Sequence, residues 1–97
     1  MENVLRDVCA ERERQNRKWG VQDHNPVEWI AILTEEVGEA AKEAVDFHFA
    51  NGDVDPSLKA GENLQRLRMA NYRKEMIEVA AVAIQAVESL DRLTGNI

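Results

Sequence analysis

Apolar residues recur along this chain at intervals of three and four, and β-branched alternation of period two is almost absent. That pattern predicts helices and no sheet. Val4, Leu5, Val8 and Cys9 form a short apolar stripe at helical spacing, predicting a first helix over 3–18. Its second half, 11–18, is nearly all charged or amide, so one side faces water. Trp19-Gly20 ends it, since glycine suits the position just past a helix. Residues 21–25 read as a loop. Asn25-Pro26 then reads as an N-cap followed by proline in the first helical position, with Glu28 placed to complement the helix dipole. This second helix is predicted over 26–49. Asn51-Gly52-Asp53-Val54-Asp55-Pro56 reads as a loop, and Ser57 as a restart weakened by Gly61. A last helix is predicted over 64–93, closed by Gly95-Asn96.

At about 100° per residue, the second helix gathers Trp29, Ile30, Leu33, Val37, Ala40, Ala41 and Ala44 on one arc. Glu36 lies at the edge of that arc, Glu43 close by, Glu39 further round and Glu35 further still. The last helix differs: Val79-Ala80-Ala81-Val82-Ala83-Ile84 is apolar on every side, continued by Ala86, Val87 and Leu90. A helix of that kind is covered from several directions, by its own chain and by another subunit. The expected fold is all-α, one domain over 1–97, a small antiparallel helical bundle completed by oligomerisation.

Composition narrows the function. The 97 residues carry 18 acidic and 12 basic side chains, a formal charge of −6. An acidic balance argues against nucleic acid as partner, which needs a basic face, and against an anionic membrane surface. No apolar run reaches the roughly 18 residues of a membrane-spanning helix, and the first residues lack signal-peptide form. The one cysteine, Cys9, closes no internal disulfide and reads as a buried small hydrophobe. The expected setting is a reducing cytoplasm. A chain of this size buries only about 65% of its unfolded surface, so self-association is expected.

The acids are not scattered. Glu75 is in line with Val79, Val82 and Ala86, and Glu78 is in line with Val82, so both stand in apolar surroundings. A buried unpaired carboxylate costs several kcal/mol, unless a cation compensates it. Glu36 and Glu39 form a second i, i+3 pair, about 5–6 Å apart at Cβ. Two antiparallel helices with such pairs can aim four carboxylates into one cleft. An all-oxygen set of this kind prefers magnesium or manganese. Without Glu35, Glu36, Glu39, Glu75 and Glu78 the formal charge of −6 would fall to −1, so the acidity of the chain is largely that of this candidate site. A solvated acidic face is the competing reading, stronger for Glu36 and Glu39 than for Glu75 and Glu78. A di-iron bundle needs Glu-x-x-His on two helices, and neither His24 nor His48 has a glutamate three residues before it.

Glu35-Glu36-Val37-Gly38-Glu39 resembles the first half, E-E-x-x-E, of the signature of the MazG-like all-α nucleotide pyrophosphohydrolases. Glu75-Met76-Ile77-Glu78 is similar to its second half, E-x-x-D. The lead-in Arg14-Gln15-Asn16-Arg17-Lys18-Trp19-Gly20, followed by Trp29-Ile30-Ala31-Ile32-Leu33, resembles short phage- and cassette-type members. Two departures stand out: the interval 40–74 is longer than the family usually has, and the last acid is Glu78 where the family has aspartate.

The resemblance implies hydrolysis of a (deoxy)nucleoside triphosphate between its α and β phosphates, giving monophosphate and pyrophosphate in nucleotide-pool house-cleaning. It implies Mg2+, or Mn2+, held by Glu36, Glu39, Glu75 and Glu78, with Glu35 orienting or deprotonating the water. Arg68 and Asn71, in the wheel sector of Glu75, and Lys42, in the stripe of Glu35 and Glu39, are candidate phosphate donors. Trp19 and Tyr72, with His24 and Trp29, are candidates to stack on the base. Members of this length imply a homo-oligomer, a tetramer built as a pair of dimers, with a dimer as the alternative. The competing function is a non-catalytic helical oligomerisation or nucleotide-sensing module.

Overall fold

The computed structural model describes the backbone of residues 1–53 and 59–95, and the side chains of 1–48 and 66–95. Three helices follow in order: α1, Glu2–Trp19; α2, Pro26–Asp53; and α3, Lys59–Thr94. No strand occurs among the described residues, so the architecture is all-α.

Local chemistry sets the helix ends. Gly20 takes φ 75°, the left-handed region where a side chain is disfavoured, and its N–H donates to Asn16 O at 2.8 Å to stop α1. At the start of α2, the Glu28 N–H donates to Asn25 Oδ1 at 2.8 Å, and the Asn25 N–H donates to Glu28 Oε1 at 3.2 Å. This reciprocal capping box satisfies two otherwise orphaned donors. Two boundaries differ from the sequence reading. Asn51, Gly52 and Asp53 belong to α2 and not to a loop, and α3 starts at Lys59 with Gly61 inside it. A single interior glycine costs only about 1 kcal/mol, and no proline stands between Pro26 and Pro56, so the helical ladder survives both. The expected loop at 54–56, the Ser57 restart and Asn96 lie outside the described residues.

α3 is the shared neighbour: α2 packs along it and α1 packs along it, while among the described residues the backbones of α1 and α2 stay apart. Trp29, Ile30 and Leu33 face Ala86, Val87 and Leu90, while Ala44 and Phe47 face Met69 and Ala70, so α2 and α3 are antiparallel. Val8, Trp29, Ala40, Ala81 and Val82 form the buried apolar core. Polar contacts tie α1 and the following loop to α3. Arg73 donates to Asp7 at 2.7 Å, and Arg12 pairs with Glu88. Asp23 accepts from Ser89 Oγ at 3.1 Å and from Arg92 at 2.8 Å.

The wheel arc of α2 is only partly covered. Trp29 and Ala40 are buried and Leu33 half-buried, but Ile30, Val37, Ala41 and Ala44 are exposed. α3 covers an arc rotated toward Ile32, Glu36 and Glu43, and a single neighbouring helix shields only part of a helix surface. Cys9 is exposed, which corrects its reading as buried: α1 turns Val8 onto α3, and Cys9 stands 100° away with Val4 and Leu5 also in solvent. The described residues span 57 × 27 × 23 Å with a radius of gyration of 16.7 Å, against about 13 Å for a compact chain of 100 residues. No helix among them is long and apolar enough to cross a membrane.

Candidate functional site: a four-glutamate cluster between two helices

The antiparallel packing of α2 on α3 sets the two i, i+3 acidic pairs opposite each other. Glu36 and Glu39 from α2 and Glu75 and Glu78 from α3 each bring one carboxylate oxygen into a group lying within 4.8 Å of one another. Glu36, Glu75 and Glu78 are half-buried and Glu39 is exposed. None of the four takes part in an ion pair among the described residues. Glu36 Oε2 and Glu75 Oε2 are buried and accept no hydrogen bond. A buried acceptor left unsatisfied costs about 1–3 kcal/mol, and more when charged.

The electrostatics follow. Burial, then the neighbouring Glu78 and Glu39 carboxylates, push the Glu75 carboxyl up to about 7. Burial, then Glu39 and Glu78, also raise Glu36. Two like charges about 5 Å apart repel by roughly 3 kcal/mol at an effective dielectric near 20. A divalent cation reverses that term for every member at once. Four convergent oxygen donors, with Glu36 Oε2 and Glu75 Oε2 accepting no hydrogen bond, suit a hard cation such as Mg2+ or Mn2+ and offer no sulfur or imidazole to a softer one.

The remaining predicted residues fall at different distances from the cluster. Glu35 is exposed and lines a pocket together with Glu36. That pocket, of about 270 Å3, lies where all three helices meet and is also walled by Gln15, Trp19, Trp29 and Gln85. Trp19 stands at its rim, half exposed, with the Lys18 ammonium 4.6 Å from its ring centroid. Trp29 is buried beneath, and His24 meets it edge-on with centroids 4.9 Å apart. His24 lies outside that pocket and lines an apolar groove with Ile30, Leu33 and Leu90. Tyr72 is exposed beside Ala44, Phe47 and Met69, in a cavity that contains none of the four glutamates. Lys42 and Asn71 are exposed, and Arg68 is half-buried with its Nε–H buried and without an acceptor.

Two groups near the cluster escaped the sequence reading. The carboxyl of Glu11, from α1, is lowered by Arg14, which donates to both of its oxygens at 2.7 Å. Gln15, on the half of α1 read as solvated, is buried. Its signal was present: it continues the stripe of Val8 one heptad on. Compared with known proteins, the chain matches no protein-family model, no curated protein and no solved structure.

Proposed function

We propose that this protein is a MazG-like, magnesium-dependent nucleoside triphosphate pyrophosphohydrolase that cuts between the α and β phosphates. The observation that carries the reading is the convergence of Glu36, Glu39, Glu75 and Glu78 within 4.8 Å, none of them in an ion pair among the described residues. The two half-motifs add to it. A substrate with about four negative charges would be repelled by such a cleft on its own, so it must arrive with divalent metal. A divalent ion held by Glu36, Glu39, Glu75 and Glu78 would supply neutralisation of phosphate oxygens and a more acidic water.

The work of the chain is then positioning. Glu36, Glu39, Glu75 and Glu78 hold the cation. Glu35, at the mouth beside Glu36, takes a proton from the water whose oxygen bonds to phosphorus as the bridging P–O bond breaks. Arg68, with an unused buried donor, and Lys42 and Asn71 serve as donors to the phosphates. The products are nucleoside monophosphate and pyrophosphate, so a house-cleaning role fits. The test is product analysis over a panel of ribo- and deoxyribonucleoside triphosphates. Pyrophosphate is expected with Mg2+ and none after chelation. Orthophosphate as the sole product, or no turnover of any triphosphate, sinks the reading.

The working unit is a homo-oligomer, a tetramer in preference to a dimer. Val27, Ile30, Val37 and Val45 on α2 and Ile84, Val87, Leu90 and Leu93 on α3 are all exposed in one chain. An apolar surface of that extent is unusual for a lone soluble chain and calls for cover. Light scattering is expected to give the mass of four chains; the mass of one chain at micromolar concentration refutes the assembly.

A further inference from the structure

A further cavity, of about 460 Å3, lies between α1 and α3 and takes no residue from α2. None of the four glutamates lines it. Its charged walls are Arg14 and Arg17 of α1 and Arg73 and Lys74 of α3, with Asp7 and Glu11 as its acids. Four cations against two acids leave a local excess of two positive charges, in a chain whose formal charge is −6. Arg73 is paired with Asp7 and shared with the cavity beside Tyr72, so the excess rests on Arg14, Arg17 and Lys74 against Glu11. Glu11 orients Arg14 more than it cancels it. It holds Nε and Nη2, each at 2.7 Å, and the Arg14 Nη1 protons have no acceptor among the described residues. Arg17 and Lys74 are exposed and enter no ion pair among the described residues.

A guanidinium already fixed by a carboxylate is pre-organised, so less side-chain freedom is lost when a ligand arrives. Two guanidinium groups and an ammonium suit phosphate oxygens, which accept charge-assisted hydrogen bonds from several donors at once. The other lining residues, Ala10, Ala70 and Ile77, are apolar. The volume falls within the roughly 300–1,000 Å3 of small-molecule sites. A bare phosphate ion would use the cations and leave the apolar walls uncovered. We propose that the α1–α3 groove binds a phosphate monoester with a small uncharged organic body, apart from the glutamate cluster and with no need of metal. Its phosphate bridges Arg14 and Arg17 on one helix and Lys74 on the other, so the ligand clamps α1 onto α3.

Calorimetric titration of the full chain in chelator, at fixed ionic strength, isolates this site, because the metal-free glutamates repel anions. Glycerol 3-phosphate, glucose 6-phosphate and inorganic phosphate are the probes, with glycerol and glucose as uncharged controls. At least one ester is expected to bind, one per chain and about threefold or more tighter than inorganic phosphate, and neither control to bind. Arg17→Ser and Lys74→Ser are each expected to weaken that ester about tenfold, the loss of one charge-assisted contact. Both side chains are exposed and unpaired, and a helical circular dichroism spectrum equal to wild type checks that each variant folds. Lys42→Ser removes the same charge from α2 and is expected to leave the affinity within about twofold. No ester bound in chelator, or binding that appears only with Mg2+, overturns the proposal. So does an equal loss in all three variants, which is a long-range field and not a site. Inorganic phosphate bound as tightly as every ester overturns the assigned ligand class. Turnover of triphosphates does not enter the readout, so the groove stands or falls apart from the pyrophosphohydrolase reading.

Discussion

Glu75→Gln is expected to cut magnesium-dependent pyrophosphate release by about a thousandfold, equivalent to about 4 kcal/mol of transition-state stabilisation. The amide keeps the size of the side chain and removes one charged ligand from four. The same change is expected to raise the melting temperature of the metal-free protein at pH 8. Glu75 carries the orphaned Oε2 and the carboxyl pushed up to about 7, so at that pH its charge is held against burial and against Glu78 and Glu39. Lower activity joined to higher apo stability is the signature of a binding centre that is strained when empty. Activity within tenfold of wild type, measured at saturating Mg2+, removes Glu75 from the site.

Without divalent metal, the protein is expected to lose stability as pH rises from 5 to 8. The sign follows from proton linkage: a carboxyl near 4.5 in the unfolded chain and near 7 in the folded one leaves the native state binding more protons across that interval. Stability therefore falls with pH over 4.5–7, and the raised Glu36 acts in the same direction. Glu11 and Asp23, both lowered, act oppositely, but only at more acidic pH, where their stabilisation is lost as pH drops through their lowered values. Partial exposure of the cluster lets solvent screen the effect, so the expected drop in melting temperature is about 5 °C, equivalent to about 1 kcal/mol in a domain of this size. Millimolar Mg2+ at pH 8 is expected to reverse it through preferential binding to the folded state, and at pH 5 to do little. Thermal scans at both pH values, with Mg2+ and with chelator, check this. A melting temperature that is flat from pH 5 to 8 and indifferent to Mg2+ contradicts the cluster as a cation site.

Where chemistry is local, the sequence was legible. The i, i+3 spacing of Glu36 with Glu39 and of Glu75 with Glu78 fixes each pair on one helix face, and Asn25, Glu28 and Gly20 mark helix ends by interactions among near neighbours. Legibility failed where a second element decides. The rotation of α2 against α3, which uncovers Ile30 and Val37 and draws in Glu36, depends on how many helices surround it. Cys9 is exposed because α1 meets only one partner and spends its single contact stripe on Val8. Gln85 sits in an apolar stretch and Gln15 in a charged one, and nothing within either stretch shows that they meet across 70 residues of chain. The loop expected at Asn51-Gly52-Asp53 failed for a different reason: low helix propensity is a mild penalty that an already long ladder absorbs.

Because the backbones of α1 and α2 each pack on α3 and, among the described residues, stay apart from each other, the width of the tryptophan pocket is governed by how α1 is moored. Those moorings are mostly ionic and partly solvated, Asp7 with Arg73, Arg12 with Glu88, and Asp23 with Arg92. Such tethers slacken as ionic strength rises, whereas the apolar seam that aligns the glutamates does not. Salt thus acts on one wall of the pocket and spares the alignment of the four glutamates beside it.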